Sequence, residues 1–131
     1  MILLLKKLLE SIVGNNNIPT MKTKKVLKIS EDGKTVLGVY DKKITSVVIP
    51  DSIETIEGFA FSDCSLLKKI ELPKNLKSIG YHAFSNCNSL TSIKIPGGVE
   101  NLDCDGIFWY CEKLKKIELE EGIESLGDIF P

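Results

Sequence analysis

Ala60-Phe61-Ser62-Asp63-Cys64-Ser65-Leu66-Leu67 and Ala83-Phe84-Ser85-Asn86-Cys87-Asn88-Ser89-Leu90 are one pattern written twice, 23 residues apart. The same spacing continues outward from them. Ile49-Pro50, Ile53 and Ile56 precede the first copy, and Leu72-Pro73, Leu76 and Ile79 precede the second. A third block runs through Ile95-Pro96, Val99, Leu102, Phe108, Cys111 and Leu114, with one residue inserted between Leu102 and Phe108. A fourth opens with Leu119, Ile123 and Leu126 and lacks the later positions. Recurrence in fixed order at a fixed period is the mark of internal repeats.

Each block holds two short apolar stretches. Ile70-Glu71-Leu72, Ile93-Lys94-Ile95 and Ile117-Glu118-Leu119, with Val47-Val48-Ile49 ahead of them, read as strands with one buried face. Pro50, Pro73 and Pro96 end those strands where no further ladder donor is needed. A second apolar-x-x-apolar stretch follows (Ile53/Ile56, Leu76/Ile79, Val99/Leu102, Ile123/Leu126). The Ala-Phe-x-x-Cys-x-x-Leu segment then turns the chain back, and its spacing predicts a short helical turn. One such unit cannot bury its own apolar face. Stacked units can, because equivalent residues then form ladders with a spacing of about 4.7–4.9 Å.

The pattern Ile-Pro-x-x-Ile-x-x-Ile-x-x-x-Ala-Phe-x-x-Cys-x-x-Leu resembles the BspA-like (Treponema pallidum-type) leucine-rich repeats. The resemblance covers Ile44 to about Ile129, and the lead-in from Ile29 to Val47 is similar to the segment preceding such arrays. It implies a curved leucine-rich-repeat solenoid on a cell-surface or secreted protein that binds other proteins, often in adhesion, with no catalytic residues. The third block departs from the pattern, since Asp103-Cys104-Asp105-Gly106-Ile107-Phe108 replaces the Ala-Phe pair with Ile-Phe. The expected fold is a short repeat solenoid, a right-handed coil of parallel strands with about four coils, preceded by a helix and a hairpin cap. Residues 1–20 form an amphipathic helix and linker, 21–46 the hairpin cap, and 47–131 the repeats. Apolar positions at 2, 5, 8, 9, 12 and 13 carry the helix, and Gly14 with three asparagines ends it. Glu31-Asp32-Gly33-Lys34 centres the hairpin.

Composition narrows function further. Of 131 residues, 43% are apolar and 27% charged, a globular balance. The 17 cations, all lysines, meet 18 acids for a net charge of -1. Nucleic-acid recognition leans on arginine's fork and on a basic excess, so neither DNA nor RNA is an expected partner. No stretch reaches the roughly 18 apolar residues of a membrane span. Met1–Leu5 is followed, not preceded, by Lys6 and Lys7, the reverse of a secretory leader's order. With His82 as the only histidine and no phosphate loop, HExxH, GxSxG or CxxC, no enzyme, metal site or cofactor is expected.

Individual residues carry sharper expectations. Cys64, Cys87 and Cys111 share one repeat position and read as a ladder of small buried thiols rather than a metal or redox site. Laddered side chains point the same way, which disfavours disulfides between them. Cys104, in the insertion, is the candidate exposed thiol. His82 stands where the preceding repeat has Phe59 and reads as a solvent-facing variable residue. The outward strand positions run Val48, Glu71, Lys94, Glu118, and the second stretch runs Glu54, Lys77, Glu100, Glu124. Opposite charges on neighbouring coils support the stack by about 0.2–1 kcal/mol per pair. The first series also offers Glu71, Lys94 and Glu118 as a mixed-charge face for a protein partner.

Trp109 and Tyr110 replace the small polar pairs Ser62-Asp63 and Ser85-Asn86. They either fold over the insertion or form a contact patch, since such aromatics concentrate in binding hot spots. Two functional readings follow. One is a non-enzymatic protein-interaction module, surface-associated or adhesin-like by resemblance, with a host or matrix protein as partner. The other is an intracellular assembly module forming homo-oligomers through its terminal helix or its bare last coil.

Overall fold

Alternation of apolar and polar residues at each rung, with proline or glycine at its end, yields strands too short to persist alone. The computed structural model describes residues 25–100, 102 and 105–123. The expected helix at residues 2–13, its linker, Cys104 and the last residues of the fourth repeat lie outside the described residues. The described strands are β1 (Leu27–Ile29), β2 (Thr35–Val39), β3 (Ser46–Val48), β4 (Thr55–Ile56), β5 (Lys69–Glu71), β6 (Ser78–Ile79), β7 (Ser92–Ile95) and β8 (Lys116–Leu119).

The first strands of successive repeats pair in parallel, β3 with β5 and β7 with β8, while β5 packs beside β7. Val47 faces Ile70, 23 residues on, whereas Ile93 faces Ile117, 24 residues on. The extra residue of the third repeat is therefore absorbed before β8, and the apolar register survives it. The second stretches give β4 paired in parallel with β6 through Thr55–Ser78 and Ile56–Ile79. The hairpin of β1 and β2 extends that same sheet, in the order β1-β2-β4-β6. Its turn is built by Gly33 at φ 75° and by Asp32, whose carboxylate accepts from the Ser30 hydroxyl at 2.6 Å and the Lys34 amide at 3.0 Å. Those two donors, Ser30 first, hold the Asp32 carboxyl below its usual range.

Equivalent side chains stack through the interior. Ile53, Leu76 and Val99 are buried, as are Ile56, Ile79 and Leu102. The rings of Phe61 and Phe84 lie parallel at 5.3 Å, and those of Phe84 and Phe108 at 5.7 Å. Burying each ring contributes roughly 1.5–3 kcal/mol, and the offset stack adds to it.

The Ala-Phe-x-x-Cys-x-x-Leu segment corrects one expectation. It is a chain of tight turns, not a helical turn. Ala60, Ser62, Cys64 and Leu67 each donate to the carbonyl three residues back, but Phe59 and Asp63 sit at φ 62° and 64°. A left-handed residue between turns prevents them from merging into a helix. It also swings alternate amides out of the coil, so that Phe59, Phe61 and Asp63 donate to the carbonyls of Tyr81, Ala83 and Ser85 in the next repeat. His82, Phe84 and Asn86 donate onward to Asp105, Ile107 and Trp109 in the same way. At the near end of this ladder the Lys42 ammonium donates to the Ser62 carbonyl at 2.6 Å.

The charge series is also corrected in part. Lys77 meets Glu54 at 3.7 Å across neighbouring coils, and Lys34 meets Glu54 at 4.0 Å. In the first series, however, Lys94 pairs with Glu120 at 3.3 Å and Glu118 with Lys116 at 3.6 Å. Glu120 is anchored for this by the Gly97 amide, which donates to its carboxylate, so the lysine still reaches the neighbouring coil but two residues past Glu118.

The ring stack fixes the expected cost of breaking the interior. Phe84→Ala, emptying the middle of three stacked rings, is expected to lower unfolding free energy by about 3–5 kcal/mol. Leu37→Ala, on the exposed face of β2, is expected to change it by no more than about 0.5 kcal/mol. Urea unfolding followed by circular dichroism measures both.

Candidate functional site

The left-handed position that breaks each turn falls on Phe59 in one repeat and His82 in the next, at φ 62° and 53°. A residue with a Cβ gives up about 1–2 kcal/mol in that conformation. It also projects its ring from the turn edge, where the next repeat can stack on it. Phe59 and His82 lie parallel with centroids 5.2 Å apart, and Tyr81 meets Phe59 edge-on at 5.1 Å. His82 meets Trp109 edge-on at 4.7 Å, and Trp109 meets Tyr110 at 6.1 Å. An unbroken strip of five aromatic side chains thus crosses three repeats. Phe59, Tyr81 and Tyr110 are 49%, 54% and 61% exposed.

The third repeat places glycine at the equivalent left-handed position, Gly106 at φ 62°. A Cβ there would fall 2.8 Å from the His82 ring and 2.9 Å from the Trp109 indole. The absent side chain is what lets Trp109 fold back onto His82. Of the two alternatives for the Trp-Tyr pair, each residue follows one: Trp109 packs half-buried over Gly106, and Tyr110 stays exposed. His82 departs from the expectation of a solvent-facing variable residue. It is half-buried as the central rung of the strip, because Phe59 and Trp109 close on it from both sides.

Residue order alone does not single out Phe59 and Tyr81. Their signal was an aromatic just before Ala-Phe in two successive repeats, Phe59 and then Tyr81-His82. Glu71, Lys94 and Glu118 stand elsewhere, exposed on β5, β7 and β8, with Lys94 directly opposite Glu118 and Glu71 opposite Val48. The structure therefore does not join the charged residues and the aromatic pair on one element.

The thiols lie on the inner side of the same turns. Cys64 and Cys87 are buried; Cys111, expected buried, is half-buried, because its ladder has a neighbour on one side only among the described residues. Cys87 donates to the Phe61 carbonyl at 3.2 Å and Cys111 to the Phe84 carbonyl at 3.1 Å. Each thiol thereby occupies a carbonyl of the preceding coil. Burial pushes the Cys64 thiol up, and the neighbouring Cys111 sulfur together with burial pushes Cys87 up. Among the described residues no group of three His, Cys, Asp or Glu converges as a metal site would require.

The family described as "BspA type Leucine rich repeat region (6 copies)" matches residues 39–130. No curated protein matches the chain. Among solved structures, a leucine-rich repeat protein from Bacteroides capillosus is 29% identical with a TM-score of 0.60, covering 74% of each chain. The T. pallidum leucine-rich repeat protein is 19% identical with a TM-score of 0.46, over 76% of this chain and 82% of its own. A leucine-rich cell surface protein from Faecalibacterium prausnitzii is 20% identical with a TM-score of 0.33, over 80% of this chain and 42% of its own.

Two outcomes follow from this geometry. Gly106→Ala is expected to destabilise the fold by about 1–3 kcal/mol through its left-handed backbone and to expose the indole. A red shift of the single tryptophan's emission, with a lowered urea midpoint, checks it. The thiol shifts set a pH dependence. Thiols raised in the folded state give stability that is full below the unfolded value of 9.0 and is lost as pH climbs from there toward the folded values. Cys87 and Cys111 shift in opposite directions as an interacting pair, so the dependence rests on Cys64: the urea midpoint should fall from pH 8 to pH 10, and Cys64→Ala should flatten that fall.

Proposed function

The chain belongs to the family of BspA-type leucine-rich repeats, and on that footing we propose that it is a surface-associated protein-interaction module with an adhesive role. Leucine-rich repeats of this family act generally as non-enzymatic binding modules, and among the described residues no helix is long and apolar enough to cross a membrane. On this reading the described repeats, from β3 onward, wind as a right-handed solenoid, and the hairpin of β1 and β2 serves as its cap.

The observation that carries the reading is the aromatic strip. Phe59, Tyr81 and Tyr110 hold large apolar faces in water on strained or sharply turned backbone, with His82 and Trp109 behind them as fixed supports. Rings held rigid by neighbours lose little freedom on binding, which is the physics of interface hot spots. Tyr110 is the anchor at one end of the strip, and Trp109 acts through it. The mixed-charge face of Glu71, Lys94 and Glu118 gives register to the partner rather than affinity, since exposed charges steer more than they hold. The partner is a host or matrix protein, and the module is displayed at the cell surface or secreted.

Immobilised extracellular-matrix proteins are the probe. The wild-type chain is expected to be retained, and Tyr81→Ala/Tyr110→Ala to lose at least about 30-fold in affinity, the mark of a hot spot, with unchanged circular dichroism. Equal retention of the double variant would move the site off the strip. Failure of wild type to bind, together with protection of a C-terminal tag from protease on intact cells, would retire the adhesive role.

A further inference from the structure

Among the described residues, the rung before the first repeat is open on one face of the stack and filled on the other. On the second-stretch face the hairpin supplies β2 as a partner for β4. On the first-strand face β3 pairs with β5, and no strand among the described residues lies on its other side. Backbone direction alternates along a strand, so the two sides of β3 can be told apart. The Ile49 amide donates to Glu71 and the Thr45 carbonyl accepts from Lys68, both toward β5. The amides and carbonyls of Ser46 and Val48 therefore point the opposite way. Ser46 and Val48 also line a groove of about 700 Å3, with Ile29 and Tyr40 on the hairpin side and Lys69 and Glu71 of β5 on the other.

Val48 is 67% exposed there, on an edge strand whose three residues include neither proline nor lysine. Edge strands without such protection readily accept another strand. Lys25 and Lys69 line the same groove against the single carboxylate of Glu71, and neither lysine is ion-paired among the described residues. Backbone groups aimed outward, an apolar wall and two lysines against one carboxylate specify one kind of occupant.

We propose that this groove binds an extended acidic segment of a protein partner, added as a strand against β3. Its main chain pairs with Ser46 and Val48. Side chains alternate along the added strand, so apolar ones meet Val48, Tyr40 and Ile29 while acidic ones meet Lys25 and Lys69. The inference rests on the protein-interaction reading but uses none of the aromatic strip.

The test uses the full chain and two end-blocked fluorescent hexapeptides, one alternating valine with glutamate and the other valine with lysine. Anisotropy should show saturable binding of the acidic peptide and at least about tenfold weaker binding of the basic one. Lys25→Glu/Lys69→Glu should reverse that order, and Val48→Pro, which removes an outward amide, should abolish binding while circular dichroism stays unchanged. Binding should slow amide exchange at Ser46 and Val48. Tyr81→Ala/Tyr110→Ala should leave peptide binding untouched, so loss of matrix binding in that variant with the peptide still bound would bear on the strip alone. Equal affinity for both peptides, or none for either, would overturn the proposal. So would protected Ser46 and Val48 amides in the unbound chain, whether its own residues 1–24 or a second copy supplies the strand; light scattering separates those two.

Discussion

Backbone amides that leave their own coil and bond to the next one hold this molecule together. A repeat of this length has strands of two to four residues and cannot complete its ladder alone. Phe59, Phe61 and Asp63 solve this by donating to the next turn, and His82, Phe84 and Asn86 repeat the solution. Donation to the neighbour sets the coil spacing, and that spacing lets Phe61, Phe84 and Phe108 stack in parallel. The buried aliphatic rungs follow from the same registration. A residue added to one coil must be absorbed outside these ladders, as it is before β8, or every later rung would be displaced.

The left-handed residues are the device that turns amides outward, and they link fold to surface. Asp63 and Asn86 adopt that conformation at little cost, since short polar side chains tolerate it. Phe59, His82 and Tyr110 adopt it at greater cost, and the return is a ring fixed at the turn edge. Residues in uncommon backbone regions persist only where their surroundings over-determine them. Here the surroundings are the next coil's carbonyl for the amide and the next coil's ring for the side chain. The aromatic strip is thus a by-product of the device that joins the repeats, put to use at positions where the sequence places aromatics.

Much of this was legible from residue order alone. The 23-residue step fixes which side chains share a rung, and pairings such as Val47 with Ile70 and Ile56 with Ile79 follow from it. The hairpin was visible in Asp32-Gly33. The conformation of the turn was not, because Ala-Phe-x-x-Cys-x-x-Leu has helical spacing and nothing in it announces positive φ at an aromatic such as Phe59. Missing that turn meant missing the strip, since His82 looks like an isolated variable residue until Phe59 and Trp109 are brought against it. Charge pairing was legible as opposite signs on neighbouring coils, but not always as the partner residue. Glu54 and Lys77 met as expected, while Lys94 had a nearer carboxylate in Glu120, two residues past the expected Glu118.

The two long edges of the stack run with opposite electrical polarity. Along the turn edge each coil donates amides forward, from Phe59 to Tyr81, whereas along the second-stretch edge it donates backward, from Lys77 to Glu54. The peptide dipoles of the two edges oppose one another, so the array does not accumulate the macrodipole that an α-helix of similar length would. Each edge nevertheless ends on groups of one sign. At the first coil the turn edge presents the Ser62 carbonyl, and there the Lys42 ammonium sits on it as a cation sits at the end of a helix. A lysine in that place is a terminus: another coil could join this edge only by evicting it.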